Sequence, residues 1–317
     1  MNNSLKVSVV MSVYNGELYL REAIESVLNQ TFNDFEFIIV NDGSTDKSIE
    51  IINSYTDSRI VIVNQKNTGL SKALNNGIAI AKGEYIARMD ADDISLPDRF
   101  EKQIGFLDSH PECVIVGSNA MLIDMYGEFL FTSKVSLDWN EIKNVLPYSP
   151  FFHSSVIFRK EIFSQCGGYF EKIKQDFEDR ILWNRMSKFG DLRNLEDPLL
   201  QYRIVPNGIS NRNKKDAFVL NSICNKIIET GDITNEEYSI INNINKNRTN
   251  KNKLANYYLR IGKIFIEQNF NKKKALLNLC RSISLNPFQK LAWFNLFLVL
   301  FPKALIIKWK RSRGIAL

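Results

Sequence analysis

Ile86-Ala87-Arg88-Met89-Asp90-Ala91-Asp92-Asp93 is a strand-like apolar run that ends in three carboxylates within four positions. Like charges this close disfavour joint ionisation unless a cation sits among them. Hard oxygen ligands where a strand leaves its sheet suit Mg²⁺ or Mn²⁺ shared with a substrate's phosphates. By itself the stretch is equally compatible with a solvated acidic turn capping the helix that begins near Pro97-Asp98, since short acidic motifs are common.

Working outward from it, strands and helices alternate. Val7–Val13, Phe35–Val40, Arg59–Val63 and Tyr85–Met89 read as buried strands, and Leu18–Leu28, Lys47–Ser54 and Leu70–Ala81 as helices. That order predicts a parallel, doubly wound α/β sheet whose binding crevice lies at the carboxyl ends of the strands. The chemically informative residues fall at those ends: Tyr14-Asn15-Gly16 after the first strand, Asn41-Asp42-Gly43-Ser44-Thr45-Asp46 after the second, Asn64-Gln65-Lys66-Asn67-Thr68-Gly69 after the third, and the carboxylates after the fourth.

Singly, each loop has a plain explanation. Asn41-Asp42-Gly43-Ser44 is a good turn and helix cap, and a lone tyrosine is most often a partly buried aromatic. Together, a stacking aromatic, a carboxylate able to accept from a base N–H and an acidic metal group describe a nucleoside diphosphate site. No G-x-G-x-x-G follows the first strand and no G-x-x-x-x-G-K-[ST] occurs, which argues against a dinucleotide fold and removes a P-loop.

The 317 residues, 44% hydrophobic and 24% charged, suffice for a large domain and a smaller one. Cys113, Cys166, Cys224 and Cys280 form no C-x-x-C pair, His110 and His153 give no zinc spacing, and no signal peptide precedes Val7, so a reducing cytoplasm is expected. Charge is divided sharply. Residues 1–242 carry 25 Lys+Arg against 34 Asp+Glu, and 243–317 carry 16 against the single Glu267. An acidic body argues against a nucleic-acid enzyme, and a basic tail argues for an anionic partner.

Val13-Tyr14-Asn15, Asn41-Asp42-Gly43-Ser44-Thr45-Asp46, Asn67-Thr68-Gly69-Leu70-Ser71-Lys72-Ala73 and Asp90-Ala91-Asp92-Asp93, in that order, resemble the family 2 glycosyltransferases of GT-A fold. Pro97-Asp98-Arg99-Phe100, Phe152-His153-Ser154-Ser155-Val156, Gly167-Gly168-Tyr169, Glu178-Asp179 and Gln201-Tyr202-Arg203 extend the likeness over about the first 210 residues. The nearest likeness is to bacterial enzymes of capsule, O-antigen or exopolysaccharide synthesis.

The resemblance implies a catalytic domain over 1–210, a mostly parallel sheet flanked by helices, and a smaller helical region over 211–317. It implies an inverting hexosyltransferase using a UDP-sugar and Mn²⁺ or Mg²⁺, with a glycan acceptor carried on a polyprenyl diphosphate. Tyr14, with Asn15 beside it, would lie against the uracil and Asp42 would accept its N3–H. Asn67 and Lys72 would lie near the nucleotide. Asp90 would touch the ribose or the metal shell, Asp92 would ligate the metal and Asp93 would support it. Asp179 of the Glu178-Asp179 pair would be the base for the acceptor hydroxyl, although a carboxylate pair beside Arg180 and Arg185 also reads as surface ion pairs. His153 would border the acceptor site. The chain departs from the pattern at Val205, near which relatives carry a histidine, and at Asn41, where aspartate is frequent.

Two rivals remain at this stage. A sugar-nucleotide pyrophosphorylase would need a basic glycine-rich loop where Tyr14-Asn15-Gly16-Glu17 stands. A catalytically inactive docking subunit would have no need of every acidic motif.

Beyond Ser210 only patterns guide the reading. Asn211–Lys215 and Asn242–Asn252 look like connections, and Tyr257–Gln268 with Lys273–Ser284 look like a helical hairpin of tetratricopeptide type that packs on the catalytic body. Leu291–Phe301 is apolar nearly all round and too short to span a bilayer. With Pro302 and the cationic Lys308, Trp309, Lys310, Arg311 and Arg313 after it, it fits a peripheral contact with the inner face of the cytoplasmic membrane.

Overall fold

The computed structural model describes residues 5–174, 176–208, 214–246, 249–268, 271–302 and 305. Its strands are β1 (Val7–Val13), β2 (Phe35–Asp42), β3 (Ile60–Gln65), β4 (Tyr85–Asp90), β5 (Ile94–Ser95), β6 (Cys113–Ile123), β7 (Phe129–Thr132), β8 (Ile157–Arg159) and β9 (Asp191–Arg203). Its helices are α1 (Leu20–Leu28), α2 (Ser48–Asn53), α3 (Leu70–Ile80), α4 (Arg99–Ser109), α5 (Trp139–Val145), α6 (Lys160–Gln165), α7 (Glu178–Met186), α8 (Lys214–Thr230), α9 (Asn235–Lys246), α10 (Asn250–Glu267), α11 (Lys272–Leu285) and α12 (Lys290–Leu298).

The strands form one sheet in the order β3-β2-β1-β4-β8-β6-β9-β5, with β7 beside β6. β1 runs parallel to β2 and β4, and β2 parallel to β3. Their register sets Val13 opposite Asn41, Asn41 opposite Asn64 and Ser12 opposite Asp90, so the loops that follow leave from one rim. Beyond β4 the pairing turns antiparallel, through β8 to β6, and β5 pairs antiparallel with β9. The alternating pattern of the first half of the chain could not foretell this.

Alternation of side chains divides each parallel strand between two cores. Val7, Val9, Met11, Phe37, Ile39, Ala87 and Met89 bury against Leu20, Ile24 and Val27 of α1 and Phe100, Ile104 and Leu107 of α4. Val10, Ile38, Val40 and Ile86 bury against Ala73, Leu74 and Ile78 of α3 and Leu182, Trp183 and Met186 of α7. A strand apolar on both faces has no solvated side to define, which is why these runs read so plainly.

Two compact units result, one of residues 1–121, 132–202 and 221–234, the other of 122–131, 203–220 and 235–317. In the second, α10 and α11 form the expected hairpin: a Cβ on Gly262 would come within 2.7 Å of Leu279 Cγ. Thr249 and Asn271 cap the two helices through their side-chain oxygens. The expected connection Asn242–Asn252 is corrected, because α9 continues to Lys246 and α10 starts at Asn250. Polar, asparagine-rich composition mimics a loop there, yet both ends are helical turns. Most of Asn211–Lys215 and the basic run after Ile307 lie outside the described residues.

Candidate active site

Hydrogen bonds among the first loops fix the rim. The Asn15 backbone, at φ 53°, donates to Ser44 Oγ at 3.1 Å, while Asn15 Oδ1 accepts from the Thr45 N–H at 2.8 Å. Gly16 N–H donates to Ser48 Oγ at 2.9 Å. Asn15 therefore ties the loop after β1 to the loop after β2, and Tyr14 beside it is 54% exposed, as a stacking platform needs. At Asn41, the amide donates to Asn64 Oδ1 and its oxygen accepts from Ser44 N–H. An aspartate there would lose the first of these, which is a local reason for asparagine.

Asp42 is buried and does structural work. Its Oδ1 accepts from Thr68 N–H at 2.8 Å and Gln65 Nε2 at 2.8 Å, and its Oδ2 from Gly69 N–H at 2.9 Å. This carboxylate thus folds the loop over Asn67–Gly69, leading into α3 with Lys72 exposed on its first turn. Glycine is required at both hinges of the clamp. Gly43 has φ 72° and a Cβ there would lie 2.7 Å from Asn67 N; Gly69 has φ 94° and its Cβ would lie 2.7 Å from the Lys174 carbonyl oxygen.

Asp90, Asp92 and Asp93 each bring a carboxylate oxygen within 4.8 Å of the others, a grouping able to hold a metal ion. Its surroundings divide the three. Asp90 forms an ion pair with buried Arg88 and accepts from Ser154 Oγ at 2.7 Å. Burial alone would raise the Asp90 carboxyl, but the Arg88 guanidinium, with help from Ser154, holds it below the ordinary range. Asp93 is 1% exposed and also accepts from Ser154. Asp92 is half-buried. Behind them Arg99, wholly buried at the start of α4, donates to the carbonyls of Arg88 at 2.9 Å and Val156 at 3.2 Å, which braces the end of β4.

The Glu178-Asp179 pair opens α7 on the same unit. Asp179, half-buried, accepts from Ser149 Oγ at 2.9 Å and from the Arg180 N–H at 2.7 Å. Glu178 is buried, and desolvation together with the Asp179 charge pushes its carboxyl up to about 8. Desolvation raises Asp179 too, opposed by its hydrogen bonds. The guanidinium hydrogen bonds of Arg180 go to Asn221 and Asn225, and that of Arg185 to the Gly168 carbonyl, so these arginines do not bind the pair as surface bridges.

His153 connects the two acidic groups. Its Nε2 lies 2.8 Å from Tyr169 Oη and its Nδ1 3.7 Å from Glu178 Oε1. The second distance is ion-pair-like, yet burial and the charge of Arg88 hold the imidazole well below its usual pKa, so it is a neutral contact. Tyr169 is placed by Asn75, which donates to its carbonyl and accepts from its N–H, both at 2.9 Å. Arg88, Ser154, Tyr169 and Ser149 carry this arrangement without having been singled out from sequence. Arg88 had a signal, since it stands two residues before Asp90 and therefore on the same face of β4.

Comparison with known proteins agrees with this geometry. The model of the family described as Glycosyl transferase family 2 matches residues 8–167. The chain is 36% identical to the amylovoran biosynthesis glycosyltransferase AmsE of Erwinia amylovora over 203 residues, 62% of this chain and 75% of that one. It is 36% identical to the O-antigen biosynthesis glycosyltransferase WbnJ of Escherichia coli over 209 residues, 62% of this chain and 79% of that one. The crystal structure of S. aureus TarS 1-349 in complex with UDP-GlcNAc superposes with a TM-score of 0.59 at 18% identity, covering 90% of each chain, which is a likeness of fold. A parallel half-sheet with its loops gathered on one rim, an acidic triplet at the end of β4 and a family match across both place the chain in glycosyl transferase family 2.

Proposed function

We propose that the chain is an inverting hexosyltransferase that moves a sugar from a UDP-sugar to a lipid-linked glycan during synthesis of a bacterial surface polysaccharide. The observation that carries the reading is the convergence, on one unit, of the Asp90-Asp92-Asp93 group and the Glu178-Asp179 pair on either side of Arg88, Ser154 and His153. The polysaccharide context is taken from AmsE and WbnJ, and the UDP-sugar from the ligand of TarS. The catalytic domain spans 1–210 in this reading.

The three carboxylates fit a divalent cation, with Asp92 as principal ligand. Mn²⁺ or Mg²⁺ held there would stabilise negative charge on the departing diphosphate as a Lewis acid. The chain's own groups do the rest. Tyr14 lies against the uracil, Asp42 offers Oδ2 to its N3–H while keeping Thr68 and Gly69 in place, and Asn67 and Lys72 flank the nucleotide. Asp179 takes the proton of the acceptor hydroxyl as that oxygen attacks the anomeric carbon from the face opposite the diphosphate, which inverts the centre. A panel of UDP-sugars incubated with Mn²⁺ should show one hydrolysed or transferred well above the rest. Turnover of none would sink the reading and favour an inactive docking subunit.

The acceptor's carrier is inferred from the end of the chain. Among the described residues no helix is long and apolar enough to cross a membrane. α12 buries Ala292 and Asn295 while Leu291, Trp293, Phe294 and Phe297 are exposed, followed by Leu300 at 75% and preceded by Phe288 at 92%. Exposed aromatics on α12, with Lys272, Lys273 and Arg281 exposed on α11 and Lys290 on α12, suit the surface of an anionic bilayer. In flotation assays the full chain is expected to rise with phosphatidylglycerol vesicles and not with neutral ones, and removal of 288–317 should abolish this. Unchanged flotation after that deletion would refute peripheral attachment by this segment.

A further inference from the structure

Arg88 is 2% exposed and its position is fixed from both sides, because its N–H donates to the Val156 carbonyl and its own carbonyl accepts from Arg99. Its Nη1 donates to Ser154 Oγ at 3.0 Å and pairs with Asp90. Its Nε is buried with no hydrogen-bond partner among the described residues. Counting protons explains the cluster. Ser154 has one proton to give but contacts both Asp90 and Asp93. The two hydrogens on Arg88 Nη1 serve Asp90 and the Ser154 oxygen, so the single Ser154 proton is shared between Asp90 and Asp93.

We propose that Arg88 is a positioning residue: it reserves the Asp90 carboxylate from metal coordination, and through Ser154 it fixes the turn that carries His153 towards Glu178. The inference rests on the metal-dependent reading above. It goes beyond that reading by giving a single buried cation a part in both halves of the site. Its consequence is that divalent metal and Arg88 compete for Asp90. Removing the guanidinium should make Asp90 available as a ligand, so the metal binds more tightly, while the reacting geometry is lost.

The test uses the full chain and Mn²⁺ alone as probe, by titration calorimetry, beside steady-state kinetics. In Arg88→Met, Mn²⁺ should bind about five- to tenfold more tightly, as expected when one nearby positive charge is removed. Its kcat should fall about 100-fold with donor KM within about threefold, the cost of misplacement by about an ångström. Arg88→Lys keeps the charge but not the fork, so its Mn²⁺ affinity should stay within about twofold of wild type while kcat falls about tenfold. Thermal melting reports folding, and if Arg88→Met does not fold, Arg88→Lys still decides. Unchanged or weaker Mn²⁺ binding in Arg88→Met, or wild-type kcat in Arg88→Lys, would overturn the proposal. Absence of Mn²⁺ binding by the wild type would instead overturn the metal-dependent reading on which it stands.

Discussion

Asp179→Asn is expected to lower the transfer rate by about 10³-fold while leaving UDP binding unchanged, the loss typical of removing a general base. The family resemblance implies Asp179 rather than Glu178 as the base, and their surroundings support that choice. Asp179 is half-buried and its carboxylate accepts from Ser149 Oγ and the Arg180 N–H. Both bonds favour the ionised form and fall on different oxygens; asparagine keeps the Arg180 N–H bond through its oxygen and can donate its amide to Ser149 Oγ, without being able to take a proton. Glu178 lies deeper, and with its carboxyl pushed up to about 8 it holds its proton at neutral pH. Since burial raises Asp179 as well, the acid limb of the kcat/KM profile should lie above the ordinary carboxylate range.

Glu178→Gln is the control that separates the two. Below pH 8 glutamine imitates the protonated side chain, so the rate should remain within about tenfold of wild type. Linkage adds a stability readout with a defined sign. The folded Glu178 carboxyl is raised above its unfolded value of 4.5, so its contribution is fully present below that value and is lost as pH rises through about 8. Glutamine removes that dependence, and Glu178→Gln should therefore gain on wild type in melting temperature between pH 6 and pH 9. A rate for Asp179→Asn within tenfold of wild type, or a larger loss in Glu178→Gln, would reverse the assignment.

How much of this was legible in sequence follows from how local each cause is. β1 falls on Val7–Val13 as expected and α3 within one residue of Leu70–Ala81, because burial on both faces and a 3.6-residue period are written in consecutive positions. β8 has three residues, and β9 contains Pro198 and four charged side chains before Tyr202, so neither announces a strand. Their pairing with distant partners creates them. At the site the residue types were readable and their labours were not. Asp42 stands out as a turn carboxylate, but its hold on Thr68 and Gly69 depends on a contact across 26 positions or more. Ser154 and Tyr169 lie within quoted motifs, and only folding brings one to Asp93 and the other to His153.

The same non-local contacts decide what the acidic triplet can do, and they lead to the second large effect. Asp92→Ala should abolish Mn²⁺ binding and lower transfer by about 10³-fold or more, the scale of losing charge stabilisation at a leaving group. From sequence any of the three carboxylates could hold the ion. The structure distinguishes them: Asp90 is engaged by Arg88 and Ser154, Asp93 is 1% exposed beneath the same hydroxyl, and Asp92 is half-buried. Asp93→Asn should accordingly cost less than Asp92→Ala, since an amide oxygen can still accept from Ser154. Calorimetry with Mn²⁺ alone, followed by transfer assays with and without EDTA, makes the comparison. The acidic turn would prove to be only a cap before α4 if Asp92→Ala turned over within tenfold of wild type, or if wild-type transfer were indifferent to EDTA.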